Sequence, residues 1–535
     1  MHRGSALVVK IASEAWEFEE IHRLNHETFT KEVPQHQSNQ TGHLIDRFHD
    51  ENTYVIAIDG GRVAGMIAVR GQRPFSLDHK LPNLDAYLPA GRSIGELRLL
   101  AVDKQERMTR LLPSLLERVW RHCLSQGFDM VVISAVLRQL KLYQRIGFEA
   151  FGPLVGTPPV LFQPMSLTLE QFVTRAPRLV IGDDPSGGAT ASFLPGPVDV
   201  SDDVRAAMQQ PPASHRSPAF HAKLDATKAR LRSLVNARRV EILLGSGTTA
   251  NDVIAGQISL ESSRGLVLSN GEFGERLVDH ATRWKLAYDV LTAPWGDAFD
   301  IDAIERALTQ ARDIGWLWCV HCETSTGVLN DLDAIRDVCR NAGVKLCVDA
   351  VSSIGTTDVD LGGAFLASGV SGKALGAFPG LAIVFHDHEV SPAPTSLPRA
   401  HDLGMYTRDH GVPFTHSSNL LDALDVALAS VSWPARFRDV AETAAWLRAR
   451  LRTLGFTVVG APHQPAPGVV TIALPEAINS VAVSDALERY GFVIAARSSY
   501  LATRNWIQIG LMGPCTRPSL ATLTALLLQA CNDVS

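Results

Sequence analysis

The sequence predicts an α/β protein in which most of the chain folds around a mainly parallel sheet. In the C-terminal two thirds, short apolar runs alternate with stretches that have the spacing of amphipathic helices. Such continuous apolar runs are typical of strands that are covered by helices on both faces. A segment rich in proline, glycine and charge, near residues 175–188, separates this region from an N-terminal unit that also has an α/β pattern.

Length and composition exclude several classes of protein. At 535 residues the chain is too long for one hydrophobic core, so about two to four domains are expected. The net charge of −6 and the lack of a long basic run argue against nucleic-acid binding. No stretch approaches the roughly 20 apolar residues of a membrane span, and the start is too short in apolar residues for a signal peptide. The expected compartment is a reducing cytoplasm.

The 7 cysteines are scattered, and one pair, Cys319 and Cys322, has the Cys-x-x-Cys spacing. A metal site of this type needs a second pair of ligands, which the sequence does not provide. The pair falls where a buried strand is expected to end, so a structural role is favoured and no metal is expected.

The domain boundaries follow from changes in the sequence pattern. We expect an N-terminal domain over residues 1–168 and a linker over 169–190, where Asp183-Asp184-Pro185-Ser186-Gly187-Gly188 has the composition of a connecting segment. A large domain with the parallel sheet follows over 191–425, and a small α/β domain over 426–535.

The expected elements of the two C-terminal domains come from their hydrophobic periodicity. In the large domain the expected strands are 241–244, 265–269, 316–320, 344–349 and 381–385, and the expected helices are 273–286 and 332–342. In the small domain a helical stretch over 422–454 is followed by a strand at 469–474, a helix at 483–490 and a strand at 506–510.

Three chemical features stand in a defined order in the large domain. Lys373 lies in the small-residue turn Ser371-Gly372-Lys373-Ala374, and Asp349, 24 residues before it, ends an apolar run. Further upstream, Gly245-Ser246-Gly247-Thr248-Thr249 opens a helical stretch. A lysine amine, an acid at a strand end and free N–H groups at a helix start are what pyridoxal phosphate needs. They supply a Schiff-base amine, a partner for the pyridine nitrogen and donors for the phosphate.

The region from about residue 190 to about residue 520 resembles the class V pyridoxal-phosphate aminotransferases. The resemblance is strongest to the branch of alanine–glyoxylate and 2-aminoethylphosphonate–pyruvate transaminases. Seven short motifs in the family's order carry the resemblance. They are Leu194-Pro195-Gly196-Pro197, His215-Arg216-Ser217, Gly245-Ser246-Gly247-Thr248, Asn270-Gly271-Glu272-Phe273-Gly274, His321-Cys322-Glu323-Thr324-Ser325-Thr326-Gly327, Val348-Asp349-Ala350-Val351 and Lys373. The resemblance implies a type I aminotransferase fold, with an amine or amino donor and an oxo acid acceptor as substrates.

The resemblance also implies roles at the reacting end of the cofactor. Lys373 would form the Schiff base and then carry the proton between the substrate Cα and the cofactor C4′ carbon. Asp349 would keep the pyridine nitrogen protonated, so that the ring accepts electrons. Phe273 and Val351 would lie on the two faces of the ring, and Thr324 would lie near its phenolic oxygen. A plain core role for Phe273 stays open, because stacking and core aromatics look alike in sequence.

The phosphate contacts are implied in the same way. Ser246, Gly247 and Thr248 would bind the phosphate at a helix N-terminus. Thr415 matches a phosphate contact that the other subunit contributes, so the resemblance implies a homodimer. Local turn roles remain the alternative for Thr324 and Thr415.

Two positions depart from the family pattern. Gly372 stands where relatives carry an amide residue that helps to bind the phosphate. Gln508 stands where the family has the arginine that binds the substrate carboxylate, and a neutral amide cannot form that bidentate ion pair. Either Arg497 or Arg504 takes over this role, or the substrate is not an ordinary α-amino acid, and the sequence leaves both open.

The N-terminal region has a hairpin signal and a characteristic ending. Two apolar runs, 54–58 and 63–67, flank the turn Asp59-Gly60-Gly61-Arg62, and Tyr143-Gln144-Arg145-Ile146-Gly147-Phe148 closes the region. Together with the apolar run 96–102, these features resemble the GNAT acyltransferase fold. The resemblance covers residues 1–165 and concerns the broad form that includes N-acyl amino acid and autoinducer synthases.

The GNAT resemblance implies a site for acyl-coenzyme A or an acyl-carrier thioester. In the family, glycines at a helix start let the coenzyme A pyrophosphate approach free N–H groups. Here Arg107 matches the family pattern, but Arg110 and Leu112 replace both glycines. Tyr143 stands in the place of a general acid, and Glu96 is a weaker candidate. The alternative is a scaffold or substrate-binding relic without acyl transfer.

Taken together, these features predict an acyltransferase-like domain fused to a pyridoxal-phosphate transaminase. The fusion suggests that an amine made by one half is acylated by the other. Two other hypotheses remain open at this point. One is a pyridoxal-phosphate lyase or elimination enzyme, because the family's carboxylate-binding arginine is missing. The other is a non-catalytic regulatory or binding protein that uses both pockets.

Overall fold

A computed structural model describes residues 7–32, 37, 39–103, 111–157, 160–175 and 191–534. They divide into two compact units. The N-terminal unit contains the described residues of Met1–Ala189 together with Arg489–Gly491 and Thr516–Asp533, and the C-terminal unit contains Thr190–Glu488 and Phe492–Cys515. The last helix therefore groups with the N-terminal unit, although the expected small domain over 426–535 includes it. No helix within the described ranges is long and apolar enough to cross a membrane.

The N-terminal unit is built on a mostly antiparallel sheet in the order β1-β2-β3-β4-β5-β8-β6, with β7 paired to β8. Its strands are β1 (Val8–Ile11), β2 (Thr53–Asp59), β3 (Arg62–Arg70), β4 (Ile94–Val102), β5 (Met130–Val136), β6 (Glu149–Ala150), β7 (Val155–Thr157) and β8 (Val160–Thr168). The predicted hairpin is confirmed, since Gly60 and Gly61 join β2 to β3 with φ values of 56° and 79°. Glycine adopts such values without the steric cost of a Cβ, which suits both positions of a two-residue turn.

The helices of this unit are α1 (Ala15–His26), α2 (Leu111–Ser125), α3 (Leu140–Ile146) and α4 (Leu169–Arg175). Strands β4 and β5 are its parallel pair, and their partners run only from Ile94↔Met130 to Glu96↔Val132. Both strands continue beyond this point without pairing to each other. The sheet therefore splits between them, which is where a ligand can meet free backbone groups.

The C-terminal unit contains the predicted large, mainly parallel sheet. Its order is β10-β18-β17-β16-β13-β11-β12, and β18 is antiparallel to both of its neighbours. The strands of this sheet are β10 (Arg239–Gly245), β11 (Arg264–Ser269), β12 (Tyr288–Thr292), β13 (Ile314–Val320), β16 (Lys345–Asp349), β17 (Leu366–Val370) and β18 (Gly380–His386). Three short strands lie outside it: β9 (Ala191–Phe193), and β14 (Cys322–Glu323) and β15 (Val328–Leu329), which pair with each other. The strands expected from the sequence are thus confirmed to within a few residues.

Helices cover both faces of this sheet. They are α5 (Asp202–Met208), α6 (Pro218–Leu234), α7 (Gly247–Ile258), α8 (Glu272–Arg283), α9 (Ile301–Gln310), α10 (Leu332–Ala342) and α11 (Leu403–Arg408). Successive residues of a strand enter opposite cores: in β16, Leu346 and Val348 belong to one apolar cluster and Cys347 to the other. This explains why the strands are continuous apolar runs, because both faces of the sheet are buried.

The small domain begins with a correction to the sequence analysis. The helical stretch expected over 422–454 is two helices, α12 (Ser418–Ala429) and α13 (Trp433–Thr453). Pro434 lies in the first turn of α13, where its missing N–H costs nothing, so it starts a new helix instead of continuing the old one. The remaining elements are β19 (Thr457–Val458), β20 (Val469–Ala473), α14 (Ser480–Arg489), β21 (Phe492–Ile494), α15 (Ser499–Arg504), β22 (Trp506–Gly510) and α16 (Arg517–Val534).

Candidate active site

A cavity of about 420 Å³ opens where the parallel strands of the large sheet end. Loops and helix starts converge at this edge because each parallel strand is followed by a connection on the same side of the sheet. The predicted site residues that line the cavity are Gly247, Thr248, Phe273, Thr324, Asp349, Val351, Lys373 and Gln508. Residues far apart in sequence are therefore brought to one place by strand order alone.

Lys373 lies in the turn between β17 and β18, and neighbouring groups hold this turn rigidly. The hydroxyl of Ser371 donates to the carbonyl of Phe378 and accepts from the N–H of Leu381. The Lys373 Nζ donates to the Ser352 Oγ at 2.7 Å. Burial lowers the pKa of the Lys373 amine, and the nearby charge of Asp349 partly opposes this. The amine is therefore easier to deprotonate than an exposed lysine.

Asp349 ends β16 and its side chain is almost completely buried. Its Oδ2 accepts from the Asn251 Nδ2 at 2.8 Å, and its Oδ1 accepts from the N–H of Val351 at 3.0 Å. Asn251 lies one turn into α7, and the sequence analysis missed it. Its position four residues after Gly247 was the available signal, because that spacing puts a side chain on the same face of a helix.

The glycine-rich segment forms the end of β10 and the start of α7. Ser246 caps the helix: its hydroxyl accepts from the N–H of Thr249, whose own hydroxyl accepts from the N–H of Ser246. Gly247 and Thr248 line the cavity, whereas Ser246 does not. A Cβ at Gly247 would lie 3.1 Å from both methyl groups of Val351, so the close approach of these two residues depends on glycine.

Phe273 lies at the start of α8, with its ring centroid 5.4 Å from the Lys373 Nζ. On its other side the ring meets Tyr500 edge to face, at 6.4 Å between centroids. Thr324 and Ser352 complete this wall, since the Thr324 Oγ1 donates to the Ser352 Oγ at 2.6 Å. Ser352 thus connects Thr324 to the Lys373 amine. The sequence analysis did not single it out, because a serine after a strand end carries no specific signal.

Gln508 lies in the cavity wall, but its polar atoms are already bonded within the protein. Its Nε2 donates to the carbonyls of Thr324 and Ser325 at 2.6 and 3.0 Å and to the Thr471 Oγ1 at 2.9 Å. Its Oε1 accepts from the Tyr500 hydroxyl at 3.0 Å. Gln508 is fully buried. This arrangement locks the amide in place and leaves it no free donor for a substrate carboxylate.

The two arginines considered as replacements lie away from the cavity. Arg497 is exposed and pairs with Asp485 and Glu488, and Arg504 is exposed and lies over the Trp295 ring at 3.4 Å. Neither lines the cavity. Arg276 does line it, and its guanidinium is paired with Glu272.

At Gly372, a Cβ would lie 2.8 Å from the Cα of Pro379, so the amide side chain of the relatives would require a shift of the turn. Thr415 is exposed and does not line this chain's cavity. Both free cysteines of the predicted pair are buried, and burial raises the pKa of the Cys322 thiol to about 12. Inert, protonated thiols agree with the structural role expected for the pair.

A second cavity, of about 120 Å³, lies in the N-terminal unit where β4 and β5 separate. Glu96 and Tyr143 line it, together with Lys80. Glu96 is fully buried and accepts from the N–H groups of Ser76 and Leu77 at 2.8 and 3.0 Å. Burial raises the pKa of Tyr143 to about 12, which keeps its hydroxyl protonated. Arg107 and Arg110 lie outside the described residues.

The comparisons with known proteins agree with this geometry. Residues 200–392 match the model of the family described as aminotransferase class-V. A 2-aminoethylphosphonate–pyruvate transaminase of Paraburkholderia xenovorans is 31% identical over 334 residues, covering 59% of this chain and 88% of that protein. The chain belongs to the class V aminotransferases. The aminotransferase is also 27% identical, over 344 residues, to an L-aspartate–glyoxylate aminotransferase of Paracoccus denitrificans, covering 61% of this chain and 86% of that protein.

A solved structure and a second family model extend the comparison. The crystal structure of ureidoglycine–glyoxylate aminotransferase from Bacillus subtilis is similar with a TM-score of 0.60 at 25% identity, covering 66% of this chain and 95% of that chain. The N-terminal unit of the aminotransferase, residues 20–169, matches the model of the N-acyl amino acid synthase FeeM. The protein is thus a transaminase fused to an acyltransferase-like domain, and the expected type I aminotransferase fold is confirmed.

The cavity of the class V aminotransferase fits the family's cofactor, pyridoxal phosphate. The Asn251 Oδ1 is buried beside Asp349 and has no hydrogen-bond partner among the described residues, so a polar ligand group fits there. A Cβ at Gly196 would lie 3.2 Å from the Lys373 side chain, which shows how closely the wall follows the lysine. The donor set therefore agrees with the cofactor: an amine for the aldehyde, a carboxylate for the pyridine nitrogen and a helix start for the phosphate.

Proposed function

We propose that the C-terminal unit binds pyridoxal phosphate through Lys373 and transfers an amino group from a small primary amine to an oxo acid. The observation that carries this proposal is one cavity that holds the Lys373 amine, the Asp349 carboxylate and the free start of α7. Family membership supports the reaction class and disfavours the lyase and the non-catalytic alternatives. The residue assignments below rest on the geometry of this chain.

When bound, pyridoxal phosphate supplies an electron sink that stabilises negative charge at the substrate Cα. Lys373 is suited to take the Cα proton and deliver it to the C4′ carbon, because burial lowers its pKa and makes the neutral amine accessible. Ser352 holds the Nζ through the 2.7 Å hydrogen bond, so the amine stays in place during the transfer. Asp349 would hold a proton on the pyridine nitrogen, and Asn251 keeps the carboxylate oriented.

The remaining cofactor contacts follow from the same geometry. Gly247 and Thr248, at the N-terminus of α7, bind the phosphate through N–H groups, and Ser246 stabilises that helix start as its cap. Phe273 and Val351, which both line the cavity, would lie on the two faces of the ring. Thr324 would lie near the phenolic oxygen, while its own hydroxyl proton is donated to the Ser352 Oγ.

Reduction of the purified protein with borohydride tests the assignment directly. We expect the absorbance band of the lysine-bound cofactor to disappear and a reduced pyridoxyl adduct to map by mass spectrometry to the peptide that contains Lys373. Lys345, at the exposed start of β16, serves as an internal control that stays unmodified. An adduct on any other lysine would contradict the proposed site.

We also propose that the amino donor lacks an α-carboxylate. Both polar atoms of the Gln508 side chain are hydrogen-bonded to protein groups. Arg497 pairs with Asp485, and Arg504 lies over the Trp295 ring. Arg276, the guanidinium that lines the cavity, is paired with Glu272. Among the described residues an α-carboxylate would therefore meet no unpaired cation beside the Lys373 amine. Incubation with a panel of amines and α-amino acids, followed by the absorbance of the pyridoxamine form, tests this. Faster conversion by alanine than by every simple amine would contradict it.

For the N-terminal unit we propose transfer of an acyl group from a coenzyme A or acyl-carrier thioester, on a GNAT-type fold. The support is the cavity at the split between β4 and β5, where unpaired backbone groups of both strands can bond an extended thioester arm. Tyr143, protonated at neutral pH, is suited to protonate the leaving thiolate. Ser134 lines the cavity, and its Oγ has no hydrogen-bond partner within the part of the chain that the structure describes.

Ser134→Leu tests this second proposal, because it fills the cavity with apolar volume. We expect it to abolish the thermal stabilisation of the protein by an acyl-coenzyme A, whereas Ser125→Leu, at the exposed end of α2, keeps it. Stabilisation that persists in Ser134→Leu would contradict the site. An absence of stabilisation in the unmodified protein, with an acyl-carrier protein also inactive, would favour the relic.

We further propose that the protein acts as a cytoplasmic homodimer in which Thr415 contacts the phosphate of the partner's cofactor. The support is its exposure outside its own cavity, together with the family resemblance of this segment. Light scattering after size exclusion tests the stoichiometry. A monomer that retains full transaminase activity would contradict the dimer and the role of Thr415.

A further inference from the structure

Glu323 is a buried carboxylate at the edge of the cofactor cavity that none of the roles above uses. It ends the two-residue strand β14 and its side chain is fully buried. Among the described residues it has no ion pair. Instead its Oε2 accepts from the N–H of Gly274 at 3.0 Å, and its Oε1 accepts from the N–H of Phe273 at 3.3 Å.

These bonds supply a helix cap that the local sequence lacks. Helix α8 starts after Gly271, which has no side chain to cap the first N–H groups. Ser325 accepts from the N–H of Glu272 at 3.1 Å and donates its own hydroxyl and N–H to the Glu323 Oε1. The first three N–H groups of α8 thus all donate to the side chains of Glu323 and Ser325, which lie about 50 residues later in the chain.

Gly271 makes this contact possible. A Cβ at that position would lie 2.5 Å from the Glu323 Cδ and 2.6 Å from the Ser325 Oγ, distances that real side chains do not adopt. Its φ of 174° is ordinary extended backbone, so the glycine is needed for space and not for conformation. The loop therefore presses directly against the start of the helix.

We propose that Glu323 is a positioning residue that sets the ring of Phe273 against the cofactor plane. Phe273 is the second residue of α8, and its own N–H is one of the groups that Glu323 holds. The Phe273 ring lies 5.4 Å from the Lys373 Nζ, so a shift of the helix start displaces the ring relative to the reacting amine. This inference rests on the proposed cofactor site.

Burial without an ion pair raises the pKa of Glu323 to about 7. Hydrogen bonds from Ser325, Gly274 and Phe273 oppose this rise because they favour the ionised form. The protein therefore keeps a costly buried carboxylate where a neutral side chain would be cheaper. This free-energy cost is expected where the buried carboxylate has a specific role.

The test combines Glu323→Gln, Phe273→Leu and the double variant. In Glu323→Gln one of the two accepting oxygens becomes an N–H₂ group, which cannot accept a hydrogen bond from a backbone N–H. We therefore expect the rate of amide hydrogen exchange in the peptide around Phe273 to rise about tenfold in cofactor-free protein. In the loaded protein we expect the cofactor's circular dichroism band to weaken and kcat to fall about tenfold. The double variant should be no slower than Phe273→Leu alone, because both changes act through one ring.

Two further variants keep the test decisive. Gly271→Ala pushes the carboxylate away without changing its charge and should reproduce Glu323→Gln, which matters if the latter folds poorly. Asp402→Asn is the matched control, since Asp402 is a buried carboxylate that caps α11 through the N–H of Gly404, away from the cavity. It should lower the melting temperature and leave the dichroism band unchanged.

Additive losses in the double variant, or an unchanged dichroism band in both Glu323→Gln and Gly271→Ala, would overturn the inference. The unmodified protein separates this failure from that of the proposed function. If it forms the adduct on Lys373 while the Glu323 variants behave additively, only the positioning role is wrong. If no adduct forms on Lys373, the proposed function fails first.

Discussion

The two cavities of this protein differ in how their polar groups are satisfied. In the cofactor cavity the side chains are bonded to one another: Asp349 to Asn251, Lys373 to Ser352, and Gln508 to four groups. In the N-terminal cavity the strand edges are unpaired, and the Lys80 ammonium lies over the Phe162 ring at 4.2 Å with no ion pair among the described residues. The first cavity is preorganised. In the second, Glu96 is bonded to Ser76 and Leu77, but the strand edges and Lys80 are left to a ligand.

The difference indicates what each unit asks of its ligand. A preorganised site holds a cofactor in one geometry and loses little free energy in ordering its own groups. A split between two strands instead offers N–H and C=O groups to any extended chain, as a sheet edge does. We therefore expect substitutions in the first cavity to affect the chemistry strongly, and substitutions in the second to affect binding.

The largest expected effect is that of Lys373→Ala. Turnover should fall by on the order of 10³-fold or more, because both the covalent link and the proton carrier are lost. The melting temperature of the cofactor-free protein should change little, since the side chain faces the cavity. Lys345→Ala, at the exposed start of β16, is the control and should retain full turnover. Substantial activity in Lys373→Ala would show that the cofactor cavity is not the site of the chemistry.

Asp349→Asn should have the next largest effect. The amide keeps the volume but removes the charge that holds the pyridine nitrogen protonated, so kcat should fall by roughly a hundredfold or more. Cofactor affinity, measured by fluorescence titration, should change much less, because the phosphate contacts remain. A variant with near wild-type kcat would show that this acid is structural.

A third prediction concerns the sheet that supports the cofactor cavity. Burial lowers the pKa of His386, at the end of β18, to about 4. The unfolded chain binds a proton on this residue below its ordinary pKa of 6.5, whereas the folded protein does not. Stability is therefore lost as the pH falls from 6.5 toward 4, by up to about 3 kcal/mol.

His386→Asn should remove this part of the acid sensitivity. Urea unfolding at pH 7 and pH 5 measures it: the difference between the two pH values should be smaller in the variant than in the unmodified protein. His463→Asn, at an exposed histidine, is the control and should leave the difference unchanged. An equal pH dependence in His386→Asn and the unmodified protein would contradict the assignment.

The smallest expected effects are those of Arg497→Ala and Arg504→Ala. Both side chains are exposed and face other partners, so KM for the amino donor should change less than about twofold. Gln508→Arg should instead create measurable turnover of alanine, at some cost in melting temperature because it disturbs a fully bonded amide. A large rise of KM in either arginine variant would show that the donor's carboxylate is bound after a conformational change.

The sequence by itself determined the large sheet and the principal site residues. Continuous apolar runs can be buried only between two layers of helices, and they predicted the strand that ends at Asp349 and the strand that follows Lys373. Chemistry that needs a particular side chain, such as an amine or an acid, leaves a residue type that can be recognised at its position. Pro434 was also a sequence signal for a new helix start, but the helical pattern on both sides of it was interpreted as one continuous helix.

Only the tertiary structure decided which neighbours these residues have. Asn251, Ser352 and Glu323 act through hydrogen bonds across 98, 21 and about 50 positions of the chain. An asparagine, a serine or a glutamate has many local uses, so its type alone does not predict a distant partner. The same holds for Gln508 and the arginines near it, because direction and burial decide which charge reaches the cavity. Those are properties of packing, and the order of residues does not contain them in readable form.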